Sequence, residues 1–511
     1  MRNRLMWAGF GVLATVVGMA AGHLVASLLD PASSPVLAVG STVIDLTPTP
    51  LKEWAIRQFG SNDKAVLTGS VLVGTLVLAA AAGLLARRRL ALGAGLLLVL
   101  VAAAAAAALT QPATGPVDVV PALATAVAGV GALTCLARAA TPRGDGAEVG
   151  DPAGHGAAGS PTRRGVLVAA GSLAAGAVAM GAAGRLITRA RTAISDVVLP
   201  AAQDPAGPFP AGLEEKVAGI SAFRTPVDDF YRVDTRLTLP VVDVDGYTLA
   251  IDGDVDRELT FTFDELAAMP LIERDITLTC VSNDVGGPYV GSARWLGVRL
   301  TDLLDQAGVG DRADQIYCTD VDGMTISVPL ELAADGRDAM VAIGMNGGPL
   351  PREHGFPVRM VVPGLYGFIS ACKWMTHMTL TTYDEATAYW TDRDWAVDAP
   401  IKPASRIDTP RSFQEIDAGD TFVGGVAWAQ HRGIAKVEVR VDGDAWQEAR
   451  LGPSVGDDYW QQWYLPWRAE PGEHTLSVRA TTQDGYTQTE ARALPFPDGA
   501  SGLQDIIVRV S

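Results

Sequence analysis

The apolar positions of this chain obey one rule before about residue 190 and another after it. In the first part they form unbroken stretches. Met6 to Leu29, Ala65 to Leu85, Leu90 to Leu109 and Val117 to Leu136 each supply the roughly 20 residues that a helix needs to cross a hydrocarbon layer. A fifth stretch, Val166 to about Ile187, is weaker because Gly and Ala dominate it. The pattern predicts an all-α transmembrane region of five helices, four within residues 1–140 and the fifth at 165–190, joined by a linker at 141–164.

Further along, the period shortens. From Leu237 to about Thr382, short strand patterns alternate with a few helical ones and with Gly and Pro turns, as in an α+β domain. Tyr247, Leu249 and Ile251 fall on one strand face, Val298, Leu300, Leu303 and Leu304 have the spacing of a helix over Val298–Gln306, and Ala339–Gly344 runs into Asn346-Gly347, a favoured hairpin pair. Beyond about Arg411 the alternation is purely β, with Val437, Val439 and Val441 leading to Asp442-Gly443, and Leu476, Val478 and Ala480 leading to Asp484-Gly485. The second half therefore divides into an α+β domain at 200–405 and an all-β sandwich at 406–511. Trp428, Trp446, Trp460, Trp463 and Trp467 are expected to fill the sandwich core or a subunit interface.

Basic residues orient the membrane part. Arg2 and Arg4 precede the first span, Arg87, Arg88 and Arg89 fill the second turn, and Arg138, Arg143, Arg163 and Arg164 precede the fifth span. These loops share the cytoplasmic side if the N-terminus is inside, and five crossings then put residues 190–511 outside a cell membrane. The loop from Asp30 to Lys64 would also be external, the one membrane-side segment with enough polar variety for a surface patch. Pro142 to Pro161 reads as a flexible cytoplasmic linker, and no function attaches to His155 within it. Thr162-Arg163-Arg164-Gly165-Val166-Leu167 resembles a twin-arginine export signal. On the dipeptide alone, ordinary cytoplasmic arginines explain it; a domain loaded with a cofactor before export would reverse that reading.

A formal charge of −17 argues against a nucleic-acid partner and for a small molecule or another protein. The four cysteines, Cys135, Cys280, Cys318 and Cys372, lack the close spacing of a zinc or iron–sulfur site. His23 is the only histidine within the apolar spans, so no haem is expected in the membrane part.

Asp275 to Asn283 alternates as a strand that delivers Cys280 to its end, ahead of the turn Gly286-Gly287-Pro288. On spacing alone Cys280 is a small buried hydrophobe. Its context changes this. Leu278-Thr279-Cys280-Val281-Ser282-Asn283, Ala293 to Leu300 (ARWLGVRL), Met345 to Pro351 (MNGGPLP), His354 to Gly364 (HGFPVRMVVPG) and Lys373-Trp374 stand in an order that resembles the molybdopterin domain of the sulfite oxidase family, across residues 225–380. The trailing sandwich is similar to that family's immunoglobulin-like dimerisation domain, which implies a homodimer.

The resemblance implies a molybdenum–molybdopterin oxidoreductase performing two-electron oxygen-atom transfer on a small S-oxo substrate, with Cys280 as the metal's thiolate ligand. It assigns cofactor contacts to His354 and Arg359, with Arg359 suited to the phosphate, and to Ser370 and Lys373, where a one-residue length difference leaves the contacting residue between them open. Tyr231 and Arg232 in Phe230-Tyr231-Arg232 resemble an early cofactor segment, and Asp320 stands near an acidic contact position. Cys280, Arg232 and Tyr389 are the catalytic candidates, Tyr389 on the substrate side. Cys318 and Cys372 have no matching ligand role and are read as structural, Cys135 as part of a span. Electrons would pass to a separate carrier, a cytochrome c or a quinone-linked membrane protein, and membrane lipid would surround the anchor.

One departure bears on the substrate. Sulfite-oxidising relatives have arginines after the ligand cysteine, whereas here Val281, Ser282, Asn283, Asp284 and Val285 follow. An Asp284 facing the pocket and desolvated would oppose a doubly charged oxyanion, which opens a second expectation, reduction of a neutral S-oxide or N-oxide such as methionine sulfoxide. A third, of another class, is an exported binding or assembly protein without cofactor.

Overall fold

The structure, a computed structural model, describes residues 2–48, 51, 58, 63–110, 115–141, 163–192, 197–237 and 239–511. They form two compact units, Met1–Ala193 with Thr235–Val241, and Ile194–Asp234 with Val242–Ser511.

The first unit is helical: α1 (Arg2–Leu28), α2 (Pro35–Leu46), α3 (Asp63–Ala86), α4 (Leu90–Leu109), α5 (Val120–Ala140) and α6 (Arg163–Thr192). All except α2 are long and apolar enough to cross a membrane. α1 packs on α3, α5 and α6 through small residues, among them Ala14, Ala82 and Ala132. At the α1–α3 crossing a Cβ on Gly11 would collide with the Ala79 carbonyl, so only glycine allows that approach. Arg163 and Arg164 open α6, while Thr162 and the linker from Pro142 to Pro161 lie outside the described residues. α2 occupies part of the Asp30–Lys64 loop, where the sequence offered no helix.

The second unit begins with β1 (Thr248–Gly253), β2 (Leu259–Thr262), β3 (Leu271–Thr279), β4 (Val290–Arg299), β5 (Gln315–Asp320), β6 (Thr325–Pro329), β7 (Met340–Met345), β8 (Gly348–Pro349), β9 (Arg359–Val361) and β10 (Met375–Thr381). One sheet has the order β2-β1-β10-β5-β6, and the other runs β3-β4-β7-β8 with β9 paired to β7. Leu249 and Ile251 alternate inward from β1 as expected, each fully buried, and burial of such a side chain contributes about 1.5–3 kcal/mol.

The helix expected from Val298 starts later. Val298 is paired in β4 with Leu271 and Val341, and the helix is Leu300–Ala307, closed by Gly308 at φ 71°. Val298 and Leu300 are two residues apart, a spacing that suits a strand, and neighbours on both sides of β4 settle the matter. Asn346 and Gly347, at φ 53° and 85°, form the expected tight turn between β7 and β8.

Nine further strands, β11 (Ala404–Thr409), β12 (Glu415–Ile416), β13 (Gly419–Trp428), β14 (Ile434–Val441), β15 (Gln447–Glu448), β16 (Arg450–Leu451), β17 (Gln461–Ala469), β18 (Gly472–Thr482) and β19 (Gln504–Val510), complete the chain. They make two sheets, β11-β13-β17-β16 and β12-β19-β18-β14-β15, around a core that includes Val423, Trp463, Val437, Val478 and Val508.

The tryptophans divide differently from expectation. Trp463 is buried in the sandwich, but Trp428 and Trp460 belong to the α+β core, and the Trp460 indole donates to the Phe223 carbonyl at 2.7 Å. Trp446 lies between the Arg440 and Arg479 guanidiniums, 4.5 and 4.3 Å from its ring, and Trp467 packs at the edge of the sandwich core. The α+β and all-β parts thus fall in a single compact unit, in which the sandwich keeps its own core and lends Val426, Trp428, Tyr459 and Trp460 to the α+β core.

Candidate cofactor site

β3 presents Cys280. The strand is hydrogen-bonded along β4 up to Thr279 opposite Val290, and the Cys280 N–H then donates to the Tyr289 carbonyl at 3.0 Å. Asn283 closes the intervening loop, its N–H donating to the Cys280 carbonyl at 3.0 Å and its Oδ1 accepting from the Tyr289 N–H at 2.8 Å. This fixes the cysteine backbone at both ends. Cys280 is 8 % exposed, with Sγ 2.9 Å from the Ser282 hydroxyl. Burial raises its pKa, opposed by hydrogen bonding to Ser282 and by the Lys373 charge. A thiol in this state is quiet by itself and becomes a ligand when a cation displaces its proton.

A group of basic side chains gathers near this strand end. Arg359 begins β9, buried to 5 %, with its guanidinium 5.0 Å over the Trp295 ring. It donates to the His354 carbonyl at 3.0 Å and, at a weak 3.4 Å, to the Met360 carbonyl; among the described residues no carboxylate pairs with it. Burial presses its pKa down to about 10. His354, 4 % exposed, has its Nε2 3.3 Å from the Val227 carbonyl, and burial followed by the Arg359 charge lowers its pKa to about 4, so the ring is neutral at pH 7. Lys373 donates to Asp234 Oδ2 at 2.8 Å and to the Glu353 carbonyl at 3.2 Å, and burial lowers its pKa to about 8 against the pull of Asp234.

Arg232, half-exposed, meets the same Asp234 oxygen at 2.7 Å. The phenol of Tyr231, stacked on Phe230 at 5.3 Å, is raised far above its ordinary pKa by burial and by the Cys280 charge, with Arg359 opposing. These couplings bring Tyr231, Cys280, Arg359, Lys373, His354 and Arg232 into one neighbourhood.

Backbone geometry makes room for the group. Gly355 has φ 112°, and a Cβ there would stand 3.0 Å from Arg359 Cβ and 3.1 Å from Lys373 Cβ. Trp374 takes φ 53°, rare for a bulky residue, held by its indole donating to the Arg352 carbonyl at 2.8 Å.

Other expected contacts point elsewhere. Ser370 is fully buried and its hydroxyl donates to the Leu365 and Tyr366 carbonyls, so within Ser370–Lys373 it is Lys373 that joins the cluster. Asp320 Oδ1 accepts from the Asp322 and Met324 N–H groups and shapes its own turn. Tyr389 packs under the Arg393 guanidinium, 3.5 Å from its ring, and edge-on to Trp390. Cys318 and Cys372 are buried, Cys135 is exposed on α5, and none of the three is in a disulfide. Asp234 was not singled out from the sequence, although the spacing Arg232-Val233-Asp234 contains it.

Asp284 is exposed and its Oδ1 accepts from the Val285 N–H at 2.8 Å. The sequence-based objection to an oxyanion required a desolvated Asp284. In contact with water its charge is screened, and the objection lapses.

The donor set suits an anionic, sulfur-liganded metal cofactor: one strand-end thiol, and a buried guanidinium that among the described residues hydrogen-bonds only to carbonyls, which a phosphate would match as a fork of donors.

Comparison with known proteins points to the same class of cofactor. Residues 236–390 match the oxidoreductase molybdopterin-binding domain family. Mitochondrial sulfite oxidase of Rattus norvegicus is 32 % identical over 275 residues, 45 % of this chain and 50 % of the relative, and that of Homo sapiens 30 % over 302 residues, 49 % and 54 %. The chain thus spans about half the length of the mammalian relatives it matches. The sulfane dehydrogenase SoxCD from Paracoccus pantotrophus has the same fold over 57 % of this chain and 82 % of its own, with TM-score 0.50 and 24 % identity. Residues 236–390 thus form a molybdopterin-binding oxidoreductase domain similar to those of the sulfite oxidases, with Cys280 directly after its third strand.

Proposed function

We propose that this protein is a membrane-anchored oxidoreductase that holds molybdenum–molybdopterin through Cys280 and oxidises a small sulfur oxyanion outside the cytoplasm, passing electrons to a separate carrier. The observation that carries the reading is the buried Arg359, without a carboxylate partner among the described residues, in the same neighbourhood as a strand-end cysteine, inside the matched family domain. When bound, the cofactor supplies two-electron oxygen-atom transfer at molybdenum, with water as oxygen source.

The protein's own part is binding and orientation. Cys280 offers a thiolate from a position fixed by the Tyr289 and Asn283 hydrogen bonds. Arg359 presents its free donors to a phosphate, with Lys373 and Arg232 adding positive charge at the rim. His354 stays neutral at pH 7 and anchors to the Val227 carbonyl, leaving the pocket's cationic charge to the arginines and the lysine. The exposed loop through Asp284 leaves the approach wet, which a small anion tolerates.

The membrane reading rests on five helices of spanning length and on the arginines at alternate loops. Export of a folded domain by the Arg163-Arg164 motif would then carry a cytoplasmically inserted cofactor outward. The all-β part contributes Trp428 and Trp460 to the oxidoreductase core, and a homodimer through its outer surface is part of the proposal.

The test is purification of the full chain from a host with intact cofactor synthesis, followed by metal analysis, pterin determination and a sulfite oxidation assay with ferricyanide as acceptor. Wild type is expected to carry about one molybdenum per chain and to oxidise sulfite; Cys280→Ser is expected to lose oxidation while remaining folded. Wild type without molybdenum, or Cys280→Ser with full activity, refutes the reading.

A further inference from the structure

Among the described residues, Asp234 is the one carboxylate placed directly on the cationic cluster. Its Oδ2 lies 2.7 Å from Arg232 Nε and 2.8 Å from Lys373 Nζ, Oδ1 accepts from Arg232 Nη2 at 3.2 Å, and its side chain is only 6 % exposed. Arg359 and His354 complete the neighbourhood, and neither takes a carboxylate partner among the described residues. A buried acid bonded to two bases is a paired charge, and removing it leaves both bases uncompensated.

We infer that Asp234 is the charge-balancing residue of the cofactor pocket: its carboxylate holds Arg232 and Lys373 in position when no anion is bound and opposes the phosphate monoester that binds there. This rests on the reading that the pocket receives the cofactor's phosphate. The geometry gives Asp234 two opposite effects. Before binding it offsets repulsion among Arg232, Arg359 and Lys373, so the empty pocket folds with its donors already in place. During binding it remains beside the same donors, and the incoming dianion meets a like charge one side chain away. Asp234 therefore trades affinity for a pocket that is formed in advance. It is a positioning residue, acting through Lys373 and Arg232.

The experiment uses the full chain in detergent from a host lacking molybdopterin synthesis, with inorganic phosphate as probe at fixed ionic strength and chloride as control. The shift of the unfolding midpoint with phosphate gives a dissociation constant. Asp234→Asn removes the charge at constant shape, and Asp234→Glu keeps it. For Asp234→Asn the expected result is a lower midpoint without phosphate and a dissociation constant for phosphate about tenfold smaller than wild type, with Asp234→Glu close to wild type.

An unchanged or weaker phosphate response in Asp234→Asn overturns the inference. If at the same time wild type responds to phosphate and Arg359→Met does not, the anion-pocket reading stands and only the role of Asp234 falls. No response to phosphate in wild type and in Asp234→Asn removes that reading, and the inference with it. A second measurement covers the case in which Asp234→Asn does not fold empty: in cofactor-loaded protein the release of pterin on dilution, read by fluorescence of the filtrate, is expected to be slower in Asp234→Asn than in wild type. Equal or faster release overturns the inference.

Discussion

Replacing Arg359 by methionine should make the cofactor-free protein more stable and at the same time unable to keep its cofactor. The guanidinium is 5 % exposed and its pKa is pressed from 12.5 to about 10, chiefly by burial. At about 1.4 kcal/mol per pH unit, holding the charge there costs about 3 kcal/mol. Because the folded-state pKa is the lower one, this penalty is present at every pH below about 10 and disappears only where the group loses its proton. Methionine is an uncharged chain of similar reach; it removes the charge and with it the guanidinium's contact with the Trp295 ring, worth about 0.5–1 kcal/mol. It also removes the hydrogen bonds to the His354 and Met360 carbonyls, worth about 0.5–1.5 kcal/mol each, the second at 3.4 Å being the weaker.

The net expectation is a gain of about 1 kcal/mol, a rise of about 2 °C in the unfolding midpoint of the second unit at pH 7.5. Tryptophan fluorescence of the cofactor-free chain in detergent reads it. The same variant made with intact cofactor synthesis should contain less than about a tenth of the wild-type molybdenum and pterin, as expected from losing a charge-assisted fork. A lower midpoint without cofactor, or wild-type molybdenum content, would show that the Arg359 charge is satisfied within the fold and does not await an anion.

Three further outcomes follow from the same geometry. His354, with its pKa lowered to about 4, binds its proton later than in the unfolded chain; cofactor-free protein should therefore lose stability as pH falls from 6.5 to 4, by about 3 kcal/mol, and His354→Gln should flatten that part of the midpoint–pH curve. Gly355→Ala, at φ 112° and with a Cβ pressed on those of Arg359 and Lys373, should destabilise by about 1–3 kcal/mol and reduce molybdenum content, whereas Gly347→Ala, strained by its own φ of 85° but with nothing near its Cβ, should destabilise and leave molybdenum content unchanged. Truncation after residue 405 should leave the oxidoreductase part insoluble or open to protease, since it removes Trp428, Tyr459 and Trp460 from the core; a soluble, resistant fragment would show that the two parts fold independently.

Local pattern was enough for the elements whose burial is uniform. Helices that are apolar around most of their circumference can be read from length and composition alone, which is why α1, α3, α4, α5 and α6 begin and end within a few residues of their hydropathy limits. Strands with one inward face announce themselves by alternation, as β1, β14 and β18 do, and Asn346-Gly347 and Asp442-Gly443 mark their turns because few residue pairs tolerate those dihedrals. The ordered motif blocks around Cys280 pointed to the molybdopterin-binding domain that residues 236–390 match, without any coordinates.

What the sequence left undecided depends on partners distant along the chain. Val298 became strand through pairing with Leu271 and Val341, and Trp428 and Trp460 joined the α+β core because the all-β part packs directly on it. Within Ser370–Lys373, only the fold shows Ser370 turned to the Leu365 and Tyr366 carbonyls and Lys373 turned to Asp234. Asp234 itself lies 139 residues before Lys373, and nothing in its neighbourhood along the chain marks it. Whether a charge is desolvated is likewise a property of the folded surface: Asp284 is in water and Arg359 is not, and that contrast sets which of the two governs the binding of an anion.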